Sequence, residues 1–240
     1  MSKGIYIIGT DTGVGKTVVS AGLMHLLLAK KHPSAYFKPV ASGAVVINGA
    51  TESIDAVFVR TASGFIEERK NITPFVFKNE MAPHLASHLE QMPIDIDLIK
   101  DRLQYLKGRY EWIIAEGAGG LAVPLNDEGY MQYDLIRELG FSCLLVARAG
   151  LGTINHTLLT IHFARSAGLK IKGIIINGST QSLLERDNVE TIAKLAGVST
   201  IITLPALIGV DTEKGQTGNL KEVFKKSIVI DEIIAMMDTI

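Results

Sequence analysis

The 240-residue chain carries one cysteine, Cys143. A disulfide framework is thereby excluded, and the thiol, set in the apolar run "SCLLVA", reads as a buried side chain of a reducing compartment. Neither sign of charge is in excess, with 24 basic against 25 acidic residues. That balance argues against a dedicated nucleic-acid-binding domain, which is normally basic. It leaves room for a local cationic site that takes a small phosphate ligand. No basic segment followed by an apolar one and a cleavage site stands at the start. The longest apolar stretch, "TVVSAGLMHLLLA", is too short to span a bilayer and contains His25. A soluble, cytoplasmic protein without membrane or nucleic-acid partners is expected. Repeats, low-complexity linkers and charge blocks are also lacking, so one domain over 1–240 is expected.

What is present is an alternation. "IYII" (5–8), "AYF" (35–37), "WIIA" (112–115), "CLLVA" (143–147), "IKGIII" (171–176) and "TIIT" (200–203) read as strands buried on both faces. Between them, 17–31, 95–107, 153–167 and 183–196 carry apolar residues at helical spacing. Strands alternating with helices predict an α/β fold, a parallel sheet with helices on both faces. "TPFVFKN" (73–79) reads as an extra extended segment, and the tail after 218 as one or two short helices. Residues 42–54, "SGAVVINGATESI", look least ordered, and a mobile loop is expected there.

The stretch "GTDTGVGKT" (9–17) carries the first chemistry. A phosphate-binding loop has the pattern G-x-x-x-x-G-K-[ST], yet Thr10 stands where its first glycine belongs. The glycines fall at Gly9, Gly13 and Gly15, so the loop reads G-x5-G-K-T. A buried strand precedes it and a helix follows, which points several backbone N–H groups at one spot with the helix dipole behind them. Lys16 can then reach the β- and γ-phosphates, and the Thr17 hydroxyl suits Mg²⁺. The fold class is therefore read as a P-loop nucleotide-binding fold.

A triphosphate site needs further ligands for its metal. Glu116 ends the buried strand 112–115 beside a run of small residues, where such a carboxylate is useful. Asp55 is a second candidate, although locally it reads as an N-cap of the helix "DAVFVRTA". Lys38, just past a strand and before Pro39, has an extended backbone and would face the same crevice, although by itself it reads equally as a solvated loop lysine. His84 and His88 are spaced i, i+4 but have no third ligand and no H-E-x-x-H pattern, so they read as helix-surface histidines. A serine nucleophile in a G-x-S-x-G elbow is absent.

Taken together, "GTDTGVGKT", "KPVASG", "EGAGGLAVPL", "LGTINHTLLT" and "GIIIN", spread over residues 9 to 177, resemble the dethiobiotin synthetase family. That family's loop carries the extra residue found here. The resemblance implies an ATP- and Mg²⁺-dependent ligase of biotin biosynthesis, working as a homodimer. One amine of 7,8-diaminopelargonate would take up CO₂ as a carbamate, ATP would activate it as a carbamic–phosphoric anhydride, and the second amine would close a cyclic urea. The resemblance makes Thr12, Lys16 and Lys38 the catalytic contacts, and Thr17, Asp55 and Glu116 the Mg²⁺ ligands. It gives the nucleotide Gly13, Val14, Gly15, Lys16, Thr17 and Val18, the small residues Gly117, Ala118 and Gly119, and Asn177 at the adenine. A second adenine segment maps to Pro205, Ala206 and Leu207. It gives the substrate Ser42 and, from the neighbouring subunit, Gly152, Thr153, Ile154 and Asn155 at a helix N-terminus. The rival reading is a nucleotide switch of the partitioning-ATPase type. Those proteins carry an additional lysine early in the loop, and none lies between Lys3 and Lys16.

Overall fold

A computed structural model describes all residues, 1–240. β1 (Lys3–Gly9) leads through the glycine loop into α1 (Lys16–Ala29) and on to β2 (Ser34–Phe37). An excursion follows: β3 (Val40–Ser42), β4 (Ala44–Ile47), β5 (Ala50–Ser53), α2 (Ile54–Ser63), α3 (Arg69–Ile72), β6 (Phe75–Phe77), α4 (Pro83–Leu89) and α5 (Ile96–Lys107). The chain returns as β7 (Trp112–Glu116), α6 (Gln132–Leu139), β8 (Ser142–Arg148), α7 (Thr153–Ser166), β9 (Ile171–Ser179), α8 (Leu183–Leu195) and β10 (Thr200–Pro205). Then come β11 (Val210–Asp211), β12 (Gln216–Thr217), α9 (Leu220–Ser227), α10 (Ile230–Met236) and β13 (Asp238–Thr239).

The main sheet has the order β10-β9-β8-β1-β7-β2, and these six strands are parallel. β13 adds a short antiparallel pairing to the start of β1. All six apolar runs of the sequence become strands of this sheet. β2 and β7 are buried at every position, and β1 and β8 at all but one, so both faces of the sheet are covered. From β1 the connections run outward to β2 on one side and, later, through β8 to β10 on the other. Reversal of direction beside β1 opens a crevice at the carboxyl ends of β1 and β7. A contiguous apolar cluster of 61 buried residues fills the layers, Cys143 among them at 0% exposure.

The four long helices α1, α5, α7 and α8 follow the periodicity of the sequence, α3 and α6 were not expected, and two short ones, α9 and α10, occupy the tail. "TPFVFKN" contains β6, which pairs with β3. Residues 42–54 differ from expectation. They form an antiparallel hairpin, with Ala44 opposite Ser53 and Ile47 opposite Ala50. Its two-residue turn is Asn48-Gly49, at φ 51 and 77. Those positive values fit a type I′ turn, whose twist matches the flanking strands and for which Asn-Gly is the favoured pair. The sequence signal was the dipeptide itself, set between β-branched residues.

Candidate active site

Residues 10–15 turn from β1 into α1, and Gly15 caps the helix at φ 101. A Cβ there would lie 2.1 Å from Nδ2 of Asn177, so only glycine admits both this backbone and the approach of β9. The N-terminus of α1 has no side-chain cap and no acidic residue in its first turn. Its free amides and the helix dipole are left to an anion. Asn177 donates from Nδ2 to the Val14 carbonyl at 3.0 Å, while its Oδ1 is buried without a partner. That oxygen is an acceptor in want of a donor.

Two lysines enter the cleft from different elements. Lys16, 7% exposed, donates to the Asp11 carbonyl at 3.0 Å. Burial, and then the charge of Lys38, push its pKa down to about 8 against the pull of Glu116, Asp55 and Asp11. Lys38, beyond the end of β2 and 3% exposed, lies 2.5 Å from Asp55 Oδ2 and 2.9 Å from Glu116 Oε1. Burial opposes its charge, but Asp55 and Glu116, with their hydrogen bonds, outweigh burial and hold the ammonium above the usual lysine range. For Asp55, burial pushes the carboxyl up. Lys38 and a hydrogen bond from Thr17 overcome that and hold it below its ordinary value.

The Thr17 hydroxyl donates toward Asp55 Oδ1 at 2.6 Å and Glu116 Oε1 at 2.9 Å. Two carboxylates and a hydroxyl on one spot are hard oxygen donors suited to Mg²⁺. A lysine ammonium seated among them shows that the spot favours a cation. No group of three or more His, Cys, Asp or Glu side chains gathers to hold a metal, so phosphate oxygens and water would complete the coordination here.

A cleft of about 1200 Å³ encloses this cluster. Of the residues predicted from sequence, Thr12, Gly13, Gly15, Lys16, Thr17 and Val18 line it from the loop and α1. Lys38, Ser42, Asp55, Glu116, Ala118, Gly119 and Asn177 line the rest. Val14 is turned into the core at 1% exposure. Gly117 is buried beneath the lining, where a Cβ would meet the Gln132 amide at 2.8 Å. Pro205, Ala206 and Leu207 are not part of the wall, which Val210 to Glu213 supply instead. Gly152, Ile154 and Asn155 lie apart from the cleft, in a second concavity of about 670 Å³ on α7 that also takes in Leu158, Leu159 and Leu195. Thr153 is buried behind it at 4%. His84 and His88 sit on α4, with His88 Nδ1 3.4 Å from Asp127.

Sequence reasoning missed three contributors. Tyr36, fully buried, donates to Glu116 Oε2 at 2.9 Å. Gln132 accepts from the Ala118 amide and donates to the Gly120 carbonyl, both at 2.7 Å, and so pins the glycine run that follows β7. Glu80 comes from a distant loop to line the cleft beside Ser42 and Gly43. Only Tyr36 left a signal: it is two residues before Lys38, hence on the same side of an extended strand.

A family profile described as an AAA domain matches residues 3–214. The chain is 45% identical over 207 residues to the ATP-dependent dethiobiotin synthetase of Clostridium kluyveri, covering 85% of this chain and 86% of that protein. It is 38% identical over 238 residues to the enzyme of the same name from Clostridium acetobutylicum, covering 98% of each. Among solved structures, the septum site-determining protein MinD of Pyrococcus horikoshii, complexed with Mg-ADP, superposes with a TM-score of 0.60 at 17% identity, over 94% of both chains. At that identity the likeness concerns the fold.

Proposed function

Since the chain belongs to the ATP-dependent dethiobiotin synthetase family, we propose that residues 1–240 form a single P-loop domain that closes the cyclic urea of dethiobiotin from 7,8-diaminopelargonate, CO₂ and ATP. The observation that carries this reading is the convergence of Lys16, Lys38, Thr17, Asp55 and Glu116 on one buried focus. A carbamate beside a triphosphate concentrates negative charge, and two fixed cations at that point stabilise what develops during transfer.

In this reading the amides at the start of α1 and Lys16 hold the β- and γ-phosphates. Asn177 takes the adenine amine on its orphan oxygen. Thr17, Asp55 and Glu116 would hold Mg²⁺, which when bound shields the phosphate oxygens and polarises the terminal phosphoryl group. Lys38 leaves its carboxylate partners to meet the carbamate oxygen as that oxygen attacks the γ-phosphorus and ADP departs. The second amine then attacks the carbonyl carbon, phosphate leaves, and the ring closes. Ser42 and Thr12 stand on the walls where the diamine must lie, and fixing its geometry is the remaining contribution.

The N-terminus of α7 is the counterpart for the substrate's carboxylate. It begins at Gly152, φ 87, with no side-chain cap and no acid in its first turn. Because it lies apart from its own cleft, we assign it to the cleft of a second copy, making the protein a homodimer. No helix is long and apolar enough to cross a membrane.

The test is phosphate release from ATP and Mg²⁺ with and without the diamine and bicarbonate, followed by the product's mass. Release that needs both additions, and a product heavier than the diamine by CO less two hydrogens, is expected. Slow release indifferent to the diamine would overturn the ligase and bring forward a nucleotide switch.

A further inference from the structure

We propose that Tyr36 is the positioning residue that decides which oxygen of Glu116 is presented to a divalent cation bound with the nucleotide. β2 and β7 are parallel neighbours, with Tyr36 opposite Ile114. Side chains alternate along strands, so Tyr36 and Lys38 lie on the same side of the sheet as Ile114 and Glu116. The carboxylate of Glu116, wholly buried, is thus met from below and above by one strand. Tyr36 donates to Oε2 at 2.9 Å, whereas Thr17 and Lys38 both reach Oε1 at 2.9 Å.

The last torsion of a glutamate is broad and twofold, so an unheld carboxylate rotates freely between presenting one oxygen or both. The Tyr36 hydroxyl stops that rotation by engaging Oε2. One oxygen, Oε1, is left facing Thr17 and Asp55, and Glu116 acts as a one-oxygen ligand. Partners of this kind behind a metal ligand change metal affinity by about 10- to 100-fold when removed. The rigid ring suits the task, since Tyr36 is packed at 0% exposure in the centre of the strand.

This inference rests on Glu116 being a metal ligand, and Tyr36→Phe tests it with Mn²⁺ and a non-hydrolysable ATP analogue. Free Mn²⁺ is followed by electron paramagnetic resonance, without diamine and without turnover. Mn²⁺ affinity is expected to fall about tenfold, with metal-free affinity for the analogue unchanged. Glu116→Gln should lose more, and adding Tyr36→Phe to it should cost nothing further. Tyr110→Phe removes a similar tyrosine–glutamate bond, to Glu67 at 3.0 Å, and should leave Mn²⁺ binding alone. Unchanged Mn²⁺ affinity in folded Tyr36→Phe, or an equal further loss on the Glu116→Gln background, overturns the proposal. Should Tyr36→Phe fail to fold in buffer, both proteins are titrated in trimethylamine N-oxide, which favours the compact state, and unchanged Mn²⁺ affinity there overturns the proposal equally. If Glu116→Gln itself leaves Mn²⁺ binding intact, the fault lies with the metal-ligand reading instead.

Discussion

Replacing Lys38 with alanine leaves Asp55 and Glu116 facing each other with no cation between them. The proposed role of Lys38 is exercised on the carbamate during transfer, so Lys38→Ala should lower kcat by about 100-fold or more. ATP affinity should stay within about threefold of the starting value, because Lys16 and the α1 amides carry the binding. Steady-state kinetics with equilibrium ATP binding separate the two, and a loss confined to binding would refute the role. The same variant should unfold at lower urea concentration when ligand-free, by about 3 kcal/mol, the lower end for breaking a buried ion pair because Asp55 is 29% exposed. Lys16 was legible because it opens a helix behind a glycine loop, and Glu116 because it ends a buried strand, whereas Lys38 by itself read equally as a solvated loop lysine. Asp55 was not legible locally, since it sat where a cap belongs. The structure gives that task to Ser53, whose hydroxyl accepts from the Ala56 amide at 3.3 Å, and Asp55 is free to turn to Lys38. Tyr36 left only its spacing from Lys38, and its meeting with Glu116, like the Asn177–Val14 contact, needed knowledge of which strands are neighbours.

Among the elements, α8 shows how a helix start is fixed by side chains. Ser182 accepts from the Glu185 amide at 3.3 Å, and Glu185 Oε2 accepts from the amides of Ser182 and Thr180 and from the Thr180 hydroxyl. Burial raises the Glu185 pKa, but the bonds from Thr180, Ser182 and Ser179 outweigh it and hold the carboxyl below its ordinary value. A carboxylate lowered in the folded state stabilises it above the unfolded pKa and loses that contribution as pH falls through the folded one. Glu185→Gln should therefore lower the thermal midpoint at neutral pH. It should also flatten the decline in stability as pH falls below the ordinary glutamate range. A parallel decline in both proteins, followed by circular dichroism, would refute the coupling. The four long helices were legible because their faces repeat over three or four turns, whereas α3 and α6 are too short to show a period. The β4–β5 hairpin was misjudged because its strands are four residues each, one wholly apolar yet with Val46 exposed, and show too little alternation to outweigh the flexible look of the neighbouring glycines.

At the scale of the whole molecule, the unpartnered face of α7 invites a second copy. Leu159 and Leu195, about 60% exposed, border the concavity that contains Asn155. Asn155→Ala should raise the KM for the diamine. Subunits carrying Asn155→Ala mixed with subunits carrying Lys16→Ala should regain about a quarter of full activity, since half the dimers are mixed and each has one intact site. Verified mixed dimers without activity would refute shared sites. The parallel α/β class was legible from alternation alone, whereas the strand order was not, because pairing joins segments far apart in the chain. That order has a consequence in time. β7 lies between β1 and β2, although more than a hundred residues separate it from β1. As the chain is synthesised, the loop and Lys38 emerge early but remain two separate pieces with raw edges. Glu116 can join Lys38 and Asp55 only once residues 112–116 stand between β1 and β2, so the assembled cluster waits on nearly half of the chain.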